Sequence, residues 1–268
     1  MNRWWYLILL VLLFIGKAAD AQVRIGPVAG INTTRWQYLQ PNEYEQYSSN
    51  WDYAFQAGLA GNYRITNRYS LHTEWQYLQR VKSVDYTRKQ ISVTDYSRQN
   101  YLSIPALFRV SFHANVKKSH IEAYLNAGPA LQFWLGGKGK LTTNELADFL
   151  DEEGSLEYKI FFDEPEGDYT WGNKEIVAAP NRWQMLLYAG GGLVFDMGRG
   201  KHFWVDLRST LGAGASSTSD SGAGEFGLQL YKDDLRAIPQ SISLSVGYFQ
   251  DINVRALLKK GRRAKSSH

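Results

Sequence analysis

Residues 51–65 read Trp51-Asp52-Tyr53-Ala54-Phe55-Gln56-Ala57-Gly58-Leu59-Ala60-Gly61-Asn62-Tyr63-Arg64-Ile65. Every odd position is apolar or glycine, while Asp52, Gln56, Asn62 and Arg64 occupy even positions. Successive side chains of a strand point to opposite faces, so a period of two held over 15 residues predicts a strand with one apolar face. Thr66-Asn67-Arg68 offers a turn, and Tyr69, Leu71, Trp75, Tyr77 and Val81 continue an apolar row opposite His72, Glu74, Gln76 and Arg80. The two segments make a predicted hairpin.

Outward from this hairpin, the same period predicts six further strands at about 23–32, 101–112, 121–135, 183–196, 202–212 and 238–249, eight in all. The connections alternate in length. They are long at 33–50, 83–100, 136–182 and 213–237, and short at 66–68, 113–120 and 197–201. A soluble sandwich has no need of that rhythm, whereas outer-membrane barrels join their strands by short periplasmic turns and long outside loops. Leu156 to Phe162, inside the longest connection, reads as a strand extension that would bring the count to ten.

Charge placement sharpens the expectation. The rows that begin at Val23, Trp51, Tyr69, Leu102, Ile121, Trp183, Phe203 and Ile238 comprise 52 positions with no charged residue, in a chain that is 21% charged. The opposite rows hold Arg24, Arg64, Arg80, Arg109 and Arg208 together with Asp52, Glu74, Glu122, Asp196 and Asp206. A charge facing lipid at the bilayer centre costs roughly 2–4 kcal/mol, while opposite charges in a closed interior can pair. The pattern predicts an all-β transmembrane antiparallel barrel, apolar outside and charge-balanced inside, of eight strands with ten as the alternative. Tyr63, Tyr69, Phe112, Phe195, Phe203 and Tyr248 lie on the apolar rows beside the short turns or at the last strand's end, and Trp51, Tyr53, Tyr77, Phe133 and Trp183 near the long loops. Two such groups match the interfacial aromatic girdles of membrane barrels.

The N-terminus supplies an address. Arg3 precedes an apolar stretch from Trp4 to Ile15, and Ala19-Asp20-Ala21 supplies a small-x-small cleavage pattern. This reads as a secretory signal peptide over 1–21, cleaved after Ala21, because the apolar stretch is too short to span a bilayer as a helix. The expected organisation is then a signal at 1–21, a barrel at 22–249 and a basic tail at 250–268, with both mature termini in the periplasm of a Gram-negative envelope. The formal net charge of +4 divides into +5 for the tail, +1 for the signal and −2 for residues 22–249. A slightly acidic body removes the support for a nucleic-acid surface. The chain has no cysteine, which excludes disulfides, thiolate metal sites and a cysteine nucleophile.

Several segments carry a family likeness. Tyr101-Leu102-Ser103-Ile104-Pro105-Ala106-Leu107-Phe108-Arg109 and the Ala127-Gly128-Pro129 segment within Tyr124–Leu131 resemble consecutive strands of the PorT-like outer-membrane β-barrel family. The start at Ile25-Gly26-Pro27, the Gly190-Gly191-Gly192 strand and the end at Leu244-Ser245-Val246-Gly247-Tyr248-Phe249 are similar in kind. The resemblance spans roughly 22–249. It implies a barrel fold and, because the family includes components tied to type IX protein secretion, a role associated with that machinery. The long connection at 136–182 and the tail after Phe249 depart from the family pattern. Pro105 has no ladder donor and is expected at a bulge or local break.

Three groups of residues invite a chemical reading. Ser70, His72 and Glu74 alternate on one interior row and contain the types of a nucleophile, a base and its orienting carboxylate. An interior row cannot reach lipid without a lateral opening, so the expectation is a structural network of these groups with Arg80 and Arg109. The wider interior set is Arg24, Arg64, Glu74, Arg80, Arg109, Glu122, Asp206 and Arg208. Residues 145–168 hold ten acids and one base. Their order is not that of a calcium loop, so no metal site is expected and a solvated acidic loop is preferred. Thr142 and Glu145 read as a capping box for a short helix ending near Gly154. In the tail, Arg255, Lys259, Lys260, Arg262, Arg263 and Lys265 could contact anionic lipid, cell wall or a periplasmic or secretion-machinery protein, or form a disordered end.

The functional expectation is a non-enzymatic outer-membrane barrel with a structural or docking role and no cofactor. A narrow solute pore and a lipid-modifying enzyme are the alternatives. An eight-stranded barrel has an interior that side chains can fill, which argues against a wide channel.

Overall fold

The computed structural model describes residues 23–38, 47–88, 91–116, 119–144, 155–162, 174–177, 180–212 and 237–252. Eleven strands are found among them: β1 (Val23–Tyr38), β2 (Tyr47–Ser49), β3 (Asp52–Arg64), β4 (Tyr69–Arg88), β5 (Ile91–Val116), β6 (Ser119–Thr143), β7 (Ser155–Phe161), β8 (Lys174–Ile176), β9 (Trp183–Asp196), β10 (Lys201–Gly212) and β11 (Ala237–Ile252). Eight of these close a ring in the order β1-β3-β4-β5-β6-β9-β10-β11, every neighbouring pair antiparallel. β11 returns to β1 in a register running from Val23↔Ile252 to Tyr38↔Ala237. Closure leaves the ring without a free edge, which a bilayer demands because hydrocarbon offers no partner to a bare N–H or C=O. The other three strands lie at the long-loop end: β2 on β4, β7 on β6, and β8 parallel to β7.

The pleat sorts the side chains as the sequence demands. Within β4, Ser70, His72, Glu74 and Gln76 are buried while Leu71 and Trp75 are exposed. Around the ring, Ile31, Leu59, Leu125, Met185, Leu207 and Leu244 each leave 45–65% of their surface on the outside. So broad an apolar exterior suits hydrocarbon and not water. Near the long loops Phe133 packs on Trp183 with ring centroids 4.7 Å apart, and near the short turns Phe195 meets Phe203 at 6.3 Å. The short turns are tight. Thr66 Oγ1 accepts from the backbone N–H of Arg68 and Tyr69, and Gly198, Arg199 and Gly200 all take positive φ.

Above the upper aromatic belt the same strands continue with their chemistry inverted. Val84, Tyr86, Val93 and Leu141 turn inward and join Tyr158, Ile160 and Val177 in a buried core, whereas Thr87, Ser92 and Thr94 face out. In β4 and β5 the pleat is unbroken, and what has changed is the medium outside, from hydrocarbon to the polar layer above it. The segments expected as loops at 83–100 and 136–143 are therefore strand, and β1 likewise runs on to Tyr38. Above Asp52, where β3 starts, Trp36 N–H bonds Ser49 Oγ of β2 and its indole Nε1 donates to the Val81 carbonyl at 2.9 Å. Val81 is buried there rather than facing lipid as expected.

Four further expectations resolve locally. The ladder lapses at Pro105 without a change of register, since the pairing steps from Thr73↔Ala106 to Gln76↔Ser103 on one side and from Pro105↔Ala130 to Phe108↔Ala127 on the other. The shift of register lies instead at Asn100↔Gly136 and Tyr101↔Trp134, where Leu135 is the extra residue and Gly136 takes φ of 131°. β6 runs through Thr143, so Thr142 is a strand residue and not a helix cap; residues 145–154 of the expected helix lie outside the described residues. The extension expected near Leu156 is β7. β11 passes the expected barrel boundary by reaching Ile252, and the expected signal at 1–21 and the tail cations lie outside the described residues.

Candidate functional site in the barrel interior

The interior network begins with an absence of side chains. Gly190 and Gly192 sit on the inward row of β9, where a Cβ at Gly190 would lie 2.7 Å from Arg208 Cγ and one at Gly192 would lie 2.6 Å from Tyr124 Oη. The glycines leave the volume that these two long side chains fill.

Arg208 of β10 is the centre of the upper tier. Its Nη1 donates to Glu74 Oε2 at 2.8 Å and its Nη2 to Glu74 Oε1 at 2.5 Å, a bidentate pair across the lumen to β4. Its Nε also donates to Asp206 Oδ1. Asp206 Oδ2 in turn accepts from Tyr124 Oη and Asn126 Nδ2, each at 2.7 Å. His72 Nε2 lies 2.6 Å from Glu74 Oε1, and the Arg109 guanidinium covers the Tyr124 ring at 3.6 Å from its centroid. Every ionised group in this tier is buried, so its attraction acts in a low dielectric but must offset a large desolvation cost. Bidentate geometry with added hydrogen bonds is the arrangement that makes such burial tolerable.

Toward the short turns the filling becomes aromatic and then ionic again. Trp204 and Phe249 are both 0% exposed and stack at 5.5 Å, with His72 edge-on to each at 5.6 and 5.9 Å. Gly247 leaves space for the Trp204 ring. Below them, Arg24 Nε donates to Asp251 Oδ1 at 3.1 Å, and Arg24 Nη1 approaches Glu122 Oε2 at 3.9 Å. Arg64 Nη2 and Ser111 Oγ donate to the two oxygens of Glu122 at 3.2 and 2.5 Å. His202 Nε2 lies 3.2 Å from Asp251.

The expected interior set is thus divided among three places. Glu74, Asp206 and Arg208 form the upper tier; Arg24, Arg64 and Glu122 form the lower; Arg80 and Arg109 rest on tyrosine rings, Arg80 at 5.1 Å from the Tyr101 centroid. Of the network expected for Ser70, His72 and Glu74 with Arg80 and Arg109, Glu74 is held by His72 and by Arg208 in place of either of those arginines, because the lumen brings β4 opposite β10. Asp196 is also corrected. It is exposed at a strand end, where it accepts from the Gly198 N–H. Ser70 is hydrogen-bonded by Asn62 Nδ2 at 3.1 Å and not by His72, so the three residue types of a nucleophile relay are not joined. Trp204, Phe249, Tyr124, His202 and Asp251 complete the filling and were not singled out from the sequence. Bulky aromatics on a row otherwise polar, Trp204 and Tyr124 above all, were the available signal.

A closed antiparallel ring with an apolar exterior, aromatic belts and a charged, filled interior defines a transmembrane β-barrel. The chain belongs to the outer membrane protein β-barrel domain family, whose model matches residues 18–214, and is an outer-membrane barrel. The match ends before β11, the strand that closes the ring. Among solved structures, the chain is similar to the outer membrane protein OprG from Pseudomonas aeruginosa, with TM-score 0.46 and 11% identity over 88% of this chain and 97% of that one. It is similar also to Neisserial surface protein A, with TM-score 0.38 and 11% identity over 85% and 97%. The outer membrane enzyme PagL follows with TM-score 0.24 and 14% identity over 83% and 99%. No curated protein matches the chain.

Proposed function

We propose that this protein is a non-enzymatic component of the outer membrane that acts as a structural or docking element and does not conduct solutes. The observation that carries this reading is the interior tier in which Arg208 spans to Glu74 while Asp206, Tyr124 and Asn126 close around it. A lumen filled this way suits a rigid scaffold. The separation of Ser70 from His72 supports the non-enzymatic part.

The PorT-like residues at 101–109 and 127–129 support a role associated with type IX protein secretion. In this reading the signal is removed after Ala21, both termini and the short turns are periplasmic, and the basic tail with Arg255, Lys259, Lys260, Arg262, Arg263 and Lys265 contacts a periplasmic or secretion-machinery protein. Co-purification from outer membranes tests it, using the full chain and a chain ending at Val254. The full chain is expected to bring down a secretion-machinery protein that the shortened chain loses while keeping its heat-dependent gel mobility. Recovery of the same proteins with both chains refutes the tail contact.

A further inference from the structure

The inverted segment above the belt carries a row of cations that the interior network does not involve. Arg98 of β5, Lys138 of β6 and Lys159 of β7 are direct cross-strand neighbours, Arg98↔Lys138 and Lys138↔Lys159, and all three are exposed on the outer face. Like charges placed directly opposite destabilise a sheet. The adjoining row differs, because there Lys140 stands opposite Glu157. Among the described residues, Arg98, Lys138 and Lys159 have no carboxylate in an ion pair; Arg98 only reaches the Tyr96 hydroxyl at 3.4 Å.

The β-bulge at Leu135-Gly136 builds this row. Before it, even positions of β6 point inward, as Gln132 and Trp134 do; after it, Leu141 and Thr143 are buried and Lys138 and Lys140 face out. One extra residue thus moves two lysines from the interior to the exterior. The outer face here forms a groove of about 600 Å³ lined by these cations with Tyr96, Lys140 and Glu157. Lys138 lies five positions beyond Phe133 of the belt. With a strand rise near 3.3 Å and a tilt near 40°, that places it roughly 10–13 Å above the belt, within reach of a large phosphorylated headgroup that projects past the belt while its chains stay in the hydrocarbon.

We propose that the outer face of β5, β6 and β7 binds the phosphorylated headgroup of an outer-leaflet lipid, with Arg98, Lys138 and Lys159 as its ligands. The inference rests on the orientation proposed above, with the long-loop end outside. The row faces out beside the lipid-exposed wall, so a headgroup whose chains lie against Leu131 and Leu135 reaches it without leaving the membrane. Phosphate oxygens would accept from three cations and relieve their mutual repulsion.

The full chain in phosphatidylcholine nanodiscs containing either phosphorylated lipid A or its dephosphorylated form, read by native mass spectrometry, tests the site. The protein is expected to retain the phosphorylated form selectively. Arg98→Gln, Lys138→Gln and Lys159→Gln together should weaken retention about 100-fold, roughly fivefold for each cation, while Lys140→Gln with Glu157→Gln should leave it nearly unchanged. Lys159→Gln alone, on a strand outside the ring, keeps the test available if the triple variant does not assemble. Equal retention of both lipid forms, unchanged retention in the variants, or equally tight binding of inorganic phosphate overturns the proposal. Labelling a Lys140→Cys variant on intact cells reads the orientation separately.

Discussion

Arg208 and Glu74, 134 positions apart in sequence, meet in the barrel lumen through two hydrogen bonds of 2.8 and 2.5 Å. β10 and β4 are not neighbours in the ring, so this pair links opposite walls and does not merely reinforce one ladder.

Breaking that pair should cost more than removing it. Glu74→Ala leaves the buried Arg208 with Asp206 as its remaining carboxylate, and loss of one partner of a buried ion pair typically costs about 3–5 kcal/mol. Denaturant unfolding in detergent should show that loss for Glu74→Ala and for Arg208→Ala. The double variant should lose less than the sum of the two. Strict additivity would mean that the pair does not couple the walls.

Space beside the network is limiting. Gly192→Val should destabilise the barrel by at least about 1–3 kcal/mol, because its side chain would collide with Tyr124 and with the Val205 carbonyl. Gly198→Ala, in a turn with nothing within 4 Å of a Cβ, is the comparison, although its φ of 77° adds local strain. Heat-dependent gel mobility and unfolding midpoints separate the two. A Gly192→Val barrel as stable as the parent would contradict the packing described.

The exterior must exclude charge. Leu125→Arg places a cation on the lipid face, where it should cost roughly 2–4 kcal/mol if it lies near the bilayer midplane and less toward the interfaces. Folding into vesicles should be slower and less complete than for Leu125→Ala. An unimpaired Leu125→Arg would argue that this face does not meet hydrocarbon.

Ring closure can be read by cross-linking, since the chain has no cysteine of its own. Ile31 and Leu244 are paired across β1 and β11. Opposed positions in an antiparallel pair have Cα atoms about 4.5–5.5 Å apart, within disulfide range. Ile31→Cys with Leu244→Cys should oxidise to an intramolecular link, and Ile31→Cys with Leu207→Cys should not. The reverse result would open the ring.

The membrane-crossing part of each strand was legible in the sequence because lipid outside and polar groups inside force a period of two with a fixed hand. Residues 51–65 and 121–135 show this without interruption. The continuations were not legible for the same physical reason. Past Arg80 the apolar row changes face, from Tyr77 outside to Val84 and Tyr86 inside, and a reading that follows one row ends there. The bulge at Gly136 adds a second change of phase in β6. Interior partners were legible only as a set. Alternation places Glu74 inside, but which arginine it meets depends on the stagger of strands around the ring, so Arg208 could not be told from Arg80 or Arg109. The glycines at 190 and 192 resembled a family motif, and their spatial reason emerged only with Tyr124 and Arg208 beside them.

The barrel is closed, and its lumen is filled by the Glu74–Arg208 tier and the Trp204–Phe249 stack. Single-channel recording of the purified full chain in planar bilayers measures it most directly. Quiet traces are expected at ordinary voltages, with openings only after Glu74→Ala, Arg208→Ala and Trp204→Ala are combined in a protein that still shows heat-dependent mobility. Stable, reproducible openings from the unmodified protein would contradict it.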